Sequence, residues 1–215
     1  MKYTTKILLA AALLSVHCKS ELDGKPVAKV GEAKGDVKAA TDVKADAKAP
    51  VPERTLKADP AASSIGFVGA KLTGDHKGDF KKFTGEATVA GTVPKSVRFS
   101  IEMASVTSDA DDLTTHLKSK DFFGIEEFPK AEFSSTALTP KTGSTDEFEV
   151  TGDLNLHGVK KSIVFPAKIT VDDRGAKSTA EFKINRKDFK IEYPGKPDDL
   201  LKDEVLLKIS LAFVP

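Results

Sequence analysis

The chain ends in EVLLKISLAFVP, where Val205, Leu207, Ile209, Leu211 and Phe213 occupy every second position. Successive side chains of an extended strand point to opposite faces, so this run presents one continuous apolar face only as a β-strand. The same period of two recurs upstream. Val97, Phe99, Ile101 and Met103 alternate in SVRFSIEM, and Phe148, Val150, Leu154 and Leu156 share a face in EFEVTGDLNL. Ile163, Phe165, Ala167, Ile169 and Val171 do so in KSIVFPAKITV, Phe182 and Ile184 in TAEFKIN, and Ile65 and Phe67 in an early strand. So many half-buried strands within residues 56–215 predict an all-β domain, either an antiparallel barrel or a sandwich. HGVKK and DDRGAK read as hairpin turns, and Pro166, inside a strand pattern, predicts an edge or a bulge. One segment breaks the alternation. From Asp109 to Lys120 an acidic start precedes Leu113, His116 and Leu117, which predicts a short helix.

The N-terminus has a different character. MKYTTKILLAAALLSVHC combines Lys2 and Lys6 with the apolar run Ile7 to Leu14, the pattern of a secretory signal over residues 1–17. Cys18, the only cysteine, stands where the apolar run ends, so no intramolecular disulfide can form. LSVHC resembles the lipobox of bacterial lipoproteins, whose cysteine is acylated and becomes the anchor to the membrane; His17 departs from the small residue usual there. Residues 18–55 are rich in Ala, Lys, Asp and Val, and repeat DVKA, DVKA and DAKA between 36 and 49. They offer no large apolar face and are expected to form a flexible, disordered tether. The expected product is an exported protein of the periplasm or cell envelope, held to a membrane through Cys18.

Charge and motifs narrow the function. Thirty-three Lys and Arg against 32 Asp and Glu leave no positive excess for nucleic acid. His76, His116 and His157 form neither an H-x-H nor an H-E-x-x-H pattern, and no G-x-S-x-G elbow is present. No catalytic residue, metal or cofactor is therefore expected. In TTHLKSKDFFGIEEFPKAEF, His116 and Asp121 are expected to hold the local structure, His116 alternatively touching a ligand headgroup, while the phenylalanines carry any binding role.

Four stretches together resemble the YceI-like family: HKGDFKKFTGEATV, THLKSKDFFGIEEFPKAEFSS, GDLNLHGVKKSIVF and INRKDFKIEY, in that order. Three positions depart from its pattern. No arginine precedes His116-Leu117, Asn155 stands where Thr is usual, and Lys190 stands where Gly is usual. The resemblance implies an eight-stranded, lipocalin-like antiparallel barrel with an elongated apolar cavity for a polyisoprenoid or similar amphiphile. It would be lined by Phe67, Phe80, Phe83, Phe99, Ile101 and Met103 from the first half of the domain. Phe122, Phe123, Phe133, Leu154, Leu156, Phe165, Phe182 and Phe213 would follow from the second, with His116 at the mouth. Thirteen phenylalanines and no tryptophan suit such a lining. A barrel filled by its own side chains, binding a protein on its outer face, would show the same alternation.

Overall fold

The computed structural model describes residues 20–33 and 51–215. The segment expected to be a signal, Cys18 and the repeats of the expected tether lie outside these residues. The strands are β1 (Lys29–Glu32), β2 (Glu53–Ala58), β3 (Ser64–Lys71), β4 (Asp75–Phe80), β5 (Phe83–Ala90), β6 (Val93–Glu102) and β7 (Val106–Ser108). After helix α1 (Asp111–Lys118) come β8 (Lys130–Pro140), β9 (Glu147–Leu156), β10 (Val159–Asp172), β11 (Gly175–Asn185), β12 (Gly195–Lys196) and β13 (Asp199–Val214).

The long strands close an antiparallel, up-and-down barrel of eight staves. Three staves are each broken once: β2 and β3 by the 3-10 turn Pro60–Ala62, β4 and β5 at Lys81-Lys82, and β6 and β7 by the 3-10 turn Met103–Ser105. β8, β9, β10 and β11 follow, each paired with the next, and β13 closes the ring by pairing with β11 on one side and with β3 and β2 on the other. Closure removes the exposed sheet edges on which strands aggregate. The inward positions of β13 are those of the alternating run, Val205 to Phe213. The turn at His157-Gly158 has positive φ at both residues (52° and 71°), the geometry a two-residue hairpin of this hand requires.

β10 and β11 pair only from Lys168–Asp172 with Gly175–Thr179; towards their other ends they part. The seam is filled by the segment expected to be tether. β1 pairs antiparallel with Lys161–Val164 of β10, and Val27 bridges in parallel to Lys183 of β11. Ala28 N donates to Lys183 O, and Lys183 N to Pro26 O, both at 2.8 Å. Ala28, 5 % exposed, joins the apolar cluster of Phe165 and Phe182, whose rings stack across the seam at 4.1 Å. Pro166 falls between the two pairings of β10. Ile169 N donates towards β9, so alternation turns the nitrogen of Pro166 to the opposite edge, where its missing N–H leaves no ladder bond unmade.

Before the seam, residues 20–25 lie across the outside of the barrel. Leu22, 2 % exposed, packs on Val68, Ala70 and Leu206. Ser20 Oγ donates to the Asp75 carboxylate at 2.9 Å, Glu21 pairs with Lys77 and Lys208, Lys25 with Glu181 and Glu32 with Lys161. A flexible tether over the whole of residues 18–55 is thus corrected at both ends. Residues 20–33 form a strap, because Leu22, Ala28 and the backbone of β1 find partners that only the folded barrel supplies. The domain's first stave begins at Glu53.

Two measurements test this arrangement. Leu22→Ala removes a buried side chain and is expected to lower stability by roughly 2–3 kcal/mol in denaturant unfolding. Lys190 holds a left-handed conformation (φ 57°, ψ 27°) after the 3-10 turn Arg186–Phe189. Lys190→Gly is therefore expected to raise stability by about 0.5–1 kcal/mol, seen as a melting temperature higher by about 1–4 °C.

Candidate functional site: an apolar cavity with a polar mouth

The barrel interior is not filled. A cavity of about 490 Å³ runs inside it, within the range of roughly 300–1,000 Å³ usual for small-molecule sites. Its wall is made by the inward faces of the strands. Phe67, Phe80, Phe99, Ile101, Met103, Phe133, Leu154, Leu156, Phe165 and Phe182 all line it. Phe122 and Phe123, in the loop after α1, complete the wall. Phe83 and Phe213 do not reach it. Both point inward, but they are buried in the surrounding core, Phe213 near the end of the last stave where it lies opposite Ala58 and Ala176. The lining also includes Val205, Leu207 and Ile209, and Ile191 and Tyr193 from the loop between β11 and β12. The first three belong to the alternating run that defines β13. The loop pair carries no periodic signal.

Two glycines keep the lumen open. Gly78 lies opposite Phe67 across β3 and β4, and a β-carbon on it would sit 2.3 Å from the Phe67 ring. Gly152 lies beside Phe133, and a β-carbon there would sit 2.4 Å from that ring. Each ring rests against bare backbone of the neighbouring strand and so occupies the wall instead of the axis. From there the aromatic contacts continue around the wall. Phe67 meets Phe80 and Phe123, and Phe133 meets Phe99 and Phe165, with ring centroids 5.3–6.2 Å apart.

The polar lining gathers at one end, where β3 ends, β4 begins and α1 crosses. Lys71, His76, Asp112, His116, Lys196 and Asp199 stand there. Most of this charge is committed. Lys71 Nζ is 2.8 Å from Asp199, His76 Nδ1 2.9 Å from Asp109, and His116 Nε2 3.0 Å from Asp121. His116 also meets Phe122 and Tyr193 edge-on at 4.9 and 4.8 Å. It thus both holds the loop after its helix and lines the cavity, and no serine is bonded to its ring among the described residues. His157 lies outside the lining; its Nδ1 contacts Phe189 O at 3.1 Å and its ring packs on Phe128. Arg186, 3 % exposed, donates to Ile191 O, Lys202 O and Asp203, tying the β11–β12 loop to β13.

Two rim carboxyls are shifted. Donation from Lys71, and from the side chain and backbone of Thr73, holds Asp199 below the ordinary aspartate value of 3.8. For Asp109 burial works the other way, but the Lys77 N–H together with the hydrogen bond and charge of His76 carry it below 3.8 as well. Among the described residues no group of three or more His, Cys, Asp or Glu could hold a metal ion. A second hollow, about 1,290 Å³, lies over the outer face of β5, β6, β8 and β9; it is larger but far less apolar than the barrel cavity, and its lining includes Glu86, Arg98, Glu132 and Asp153.

An eight-stranded barrel around an apolar cavity defines a lipocalin-like class of protein. The sequence profile of the YceI-like domain matches residues 56–213, and the chain belongs to that family. The UPF0312 protein of Pseudomonas putida strain W619 is 33% identical over 132 residues, which are 58% of this chain and 68% of that one. Protein YceI of Escherichia coli O6:H1 is 37% identical over 123 residues, 54% of this chain and 63% of that one. Among solved structures, BcnA of Burkholderia cenocepacia superposes with a TM-score of 0.64 at 24% identity, over 72% of this chain and 98% of that one. A polyisoprenoid-binding domain of Saccharophagus degradans, implicated in plant cell wall breakdown, gives 0.61 at 17% identity, over 74% and 98%. At these identities the two structures establish the shared fold.

The rim shifts carry a sign. A carboxyl whose folded value lies below 3.8 contributes stability that is complete above 3.8 and is lost as pH falls through the folded value. The amide resonances of Thr73 and Lys77, which donate to Asp199 and Asp109, are expected to titrate with midpoints below 3.8 in an NMR pH series.

Proposed function

We propose that this protein binds the long apolar chain of an amphiphile, a polyisoprenoid or a lipid of similar shape, inside the barrel, with the headgroup at the mouth beside His116, Lys71 and Lys196. The observation that carries this reading is a cavity walled by phenylalanine, leucine and isoleucine whose polar residues all stand at one end. Such a site offers an isoprenoid tail the apolar surroundings that water denies it, at about 25 cal/mol per Å² of surface covered. The polyisoprenoid-binding neighbour on the same fold supports the choice of ligand. The role is to shield or carry the lipid, without turnover. We place the protein in the periplasm or cell envelope, exported by its signal segment and anchored to a membrane through acylated Cys18.

The test is native mass spectrometry on the chain from residue 18, purified without detergent from bacterial periplasm. An apolar adduct of one molecule per chain is expected, extractable into solvent. Leu207→Trp adds bulk to the cavity wall and should remove the adduct at least ~10-fold while leaving the fold intact by circular dichroism. A chain that carries no adduct and takes up no added prenyl lipid would overturn the proposal.

A further inference from the structure

The strap does more than close a seam: it fixes which part of the barrel the N-terminus leaves from. Ser20, the first described residue, is held by Asp75 through two side-chain contacts of 2.9 and 3.0 Å, and the Glu21 N–H donates to the same carboxylate at 3.0 Å. Asp75 opens β4, directly after the β3–β4 turn and next to His76 of the cavity lining. Two residues of chain span at most about 7 Å. An anchor at position 18 would therefore stand no more than that distance from Ser20. A freely coiled tether of ~35 residues would instead leave the barrel roughly 30 Å from its anchor and free to tumble.

The same rim carries two bare leucines. Leu72, 68 % exposed, is in the β3–β4 turn, and Leu200, 48 % exposed, is at the start of β13. Their loops form one unit, because Asp199 pairs with Lys71 and accepts from both the N–H and the hydroxyl of Thr73. Lys71 and Asp199 line the cavity, so the exposed leucines sit beside its opening. Around them the charges are mixed: Lys71 and Lys196 stand with Asp112 and Asp199. Such a rim has no strong preference for an anionic surface, and its contact with a bilayer would be apolar. The opposite end of the barrel also exposes apolar side chains, Val51, Val93 and Val214, but neither the strap nor the cavity lining's polar end leads there.

We infer that the rim formed by the β3–β4 turn and the start of β13 is a membrane-docking face, on which Leu72 and Leu200 touch the bilayer and the cavity mouth is held against it by the short link to Cys18. This rests on the lipid-binding, Cys18-anchored reading above and specifies how the ligand exchanges: between bilayer and cavity directly, without passage through water.

Cys18 is the only cysteine, so the chain from residue 18 can be coupled through its thiol to a maleimide-headgroup lipid in phosphatidylcholine vesicles. Amide hydrogen exchange is then compared between coupled and free chain. The amides of 71–75 and 196–201 are expected to slow by ~10-fold on coupling, at low and high salt alike, while those of 91–93 and 141–146 at the opposite end stay unchanged. Insertion of about 20 Gly/Ser residues after Lys19 leaves the strap and barrel intact and should remove most of that protection, as should Leu72→Asp with Leu200→Asp. Protection at the far end, equal protection at both ends, or none at the rim overturns the docking face. The free chain's apolar adduct, read separately by native mass spectrometry, reports the cavity reading: its presence with an unprotected rim sinks the docking face alone.

Discussion

An eight-stranded barrel has an interior barely wide enough for its own side chains. Room for a ligand therefore depends on where the largest inward residues put their bulk. Here the deciding contact is a phenyl ring laid on bare backbone, Phe67 over Gly78 and Phe133 by Gly152. With any side chain at either glycine the ring would have to swing away from the wall, towards the lumen, and the cavity would shrink. The aromatic contacts that follow from these two positions reach Phe80, Phe123, Phe99 and Phe165. The wall is thus aromatic because its rings can lie along it.

The seam has a related origin. Phe165 and Phe182 face each other where β10 and β11 part, and their rings stack in near-parallel planes, 13° apart. With the two backbones apart, both would show unpaired edges, and an edge of that kind invites another chain. The strap supplies β1 to one edge and Pro26–Ala28 to the other. The barrel domain is for this reason larger than its matched family segment, 56–213: residues more than twenty positions upstream complete it.

Much of this was legible in the sequence, and the limits are physical. Long runs with a strict period of two can satisfy their apolar face in only one way, so β3, β6, β9, β10, β11 and β13 and the hairpin at His157-Gly158 were readable, whereas β8 was not read from alternation. α1 was readable from its acidic start and the spacing of Leu113, His116 and Leu117. The strap was not. KPVAKVGE alternates over too few residues to separate from an Ala/Lys-rich coil, and Leu22 alone gives no period. Its order comes from partners on β3, β4, β10, β11 and β13, a tertiary cause that local pattern does not encode. Phe83 and Phe213 show the second limit. Alternation and a family resemblance give the face of a strand but not the depth along the barrel, so two inward phenylalanines were assigned to a cavity they do not reach.

The burial pattern of β13 joins the two findings. In a barrel packed with its own side chains, inward residues would be the inaccessible ones and outward residues the wet ones. Around its middle β13 reverses this: outward Leu206 is 0% exposed, whereas inward Val205, Leu207 and Ile209 remain partly accessible. In β3 the outward Val68, at 1%, is covered as completely as the inward residues beside it. The outer pair is sealed by Leu22 of the strap, and the inner set faces the cavity. A stretch covered on the outside at Leu206 and open on the inside from Val205 to Ile209 is what a ligand-carrying barrel with a covered flank requires. The strap that produces the covered flank also begins at the rim of the cavity, so closure of the barrel and the direction of its mouth are set by the same few residues.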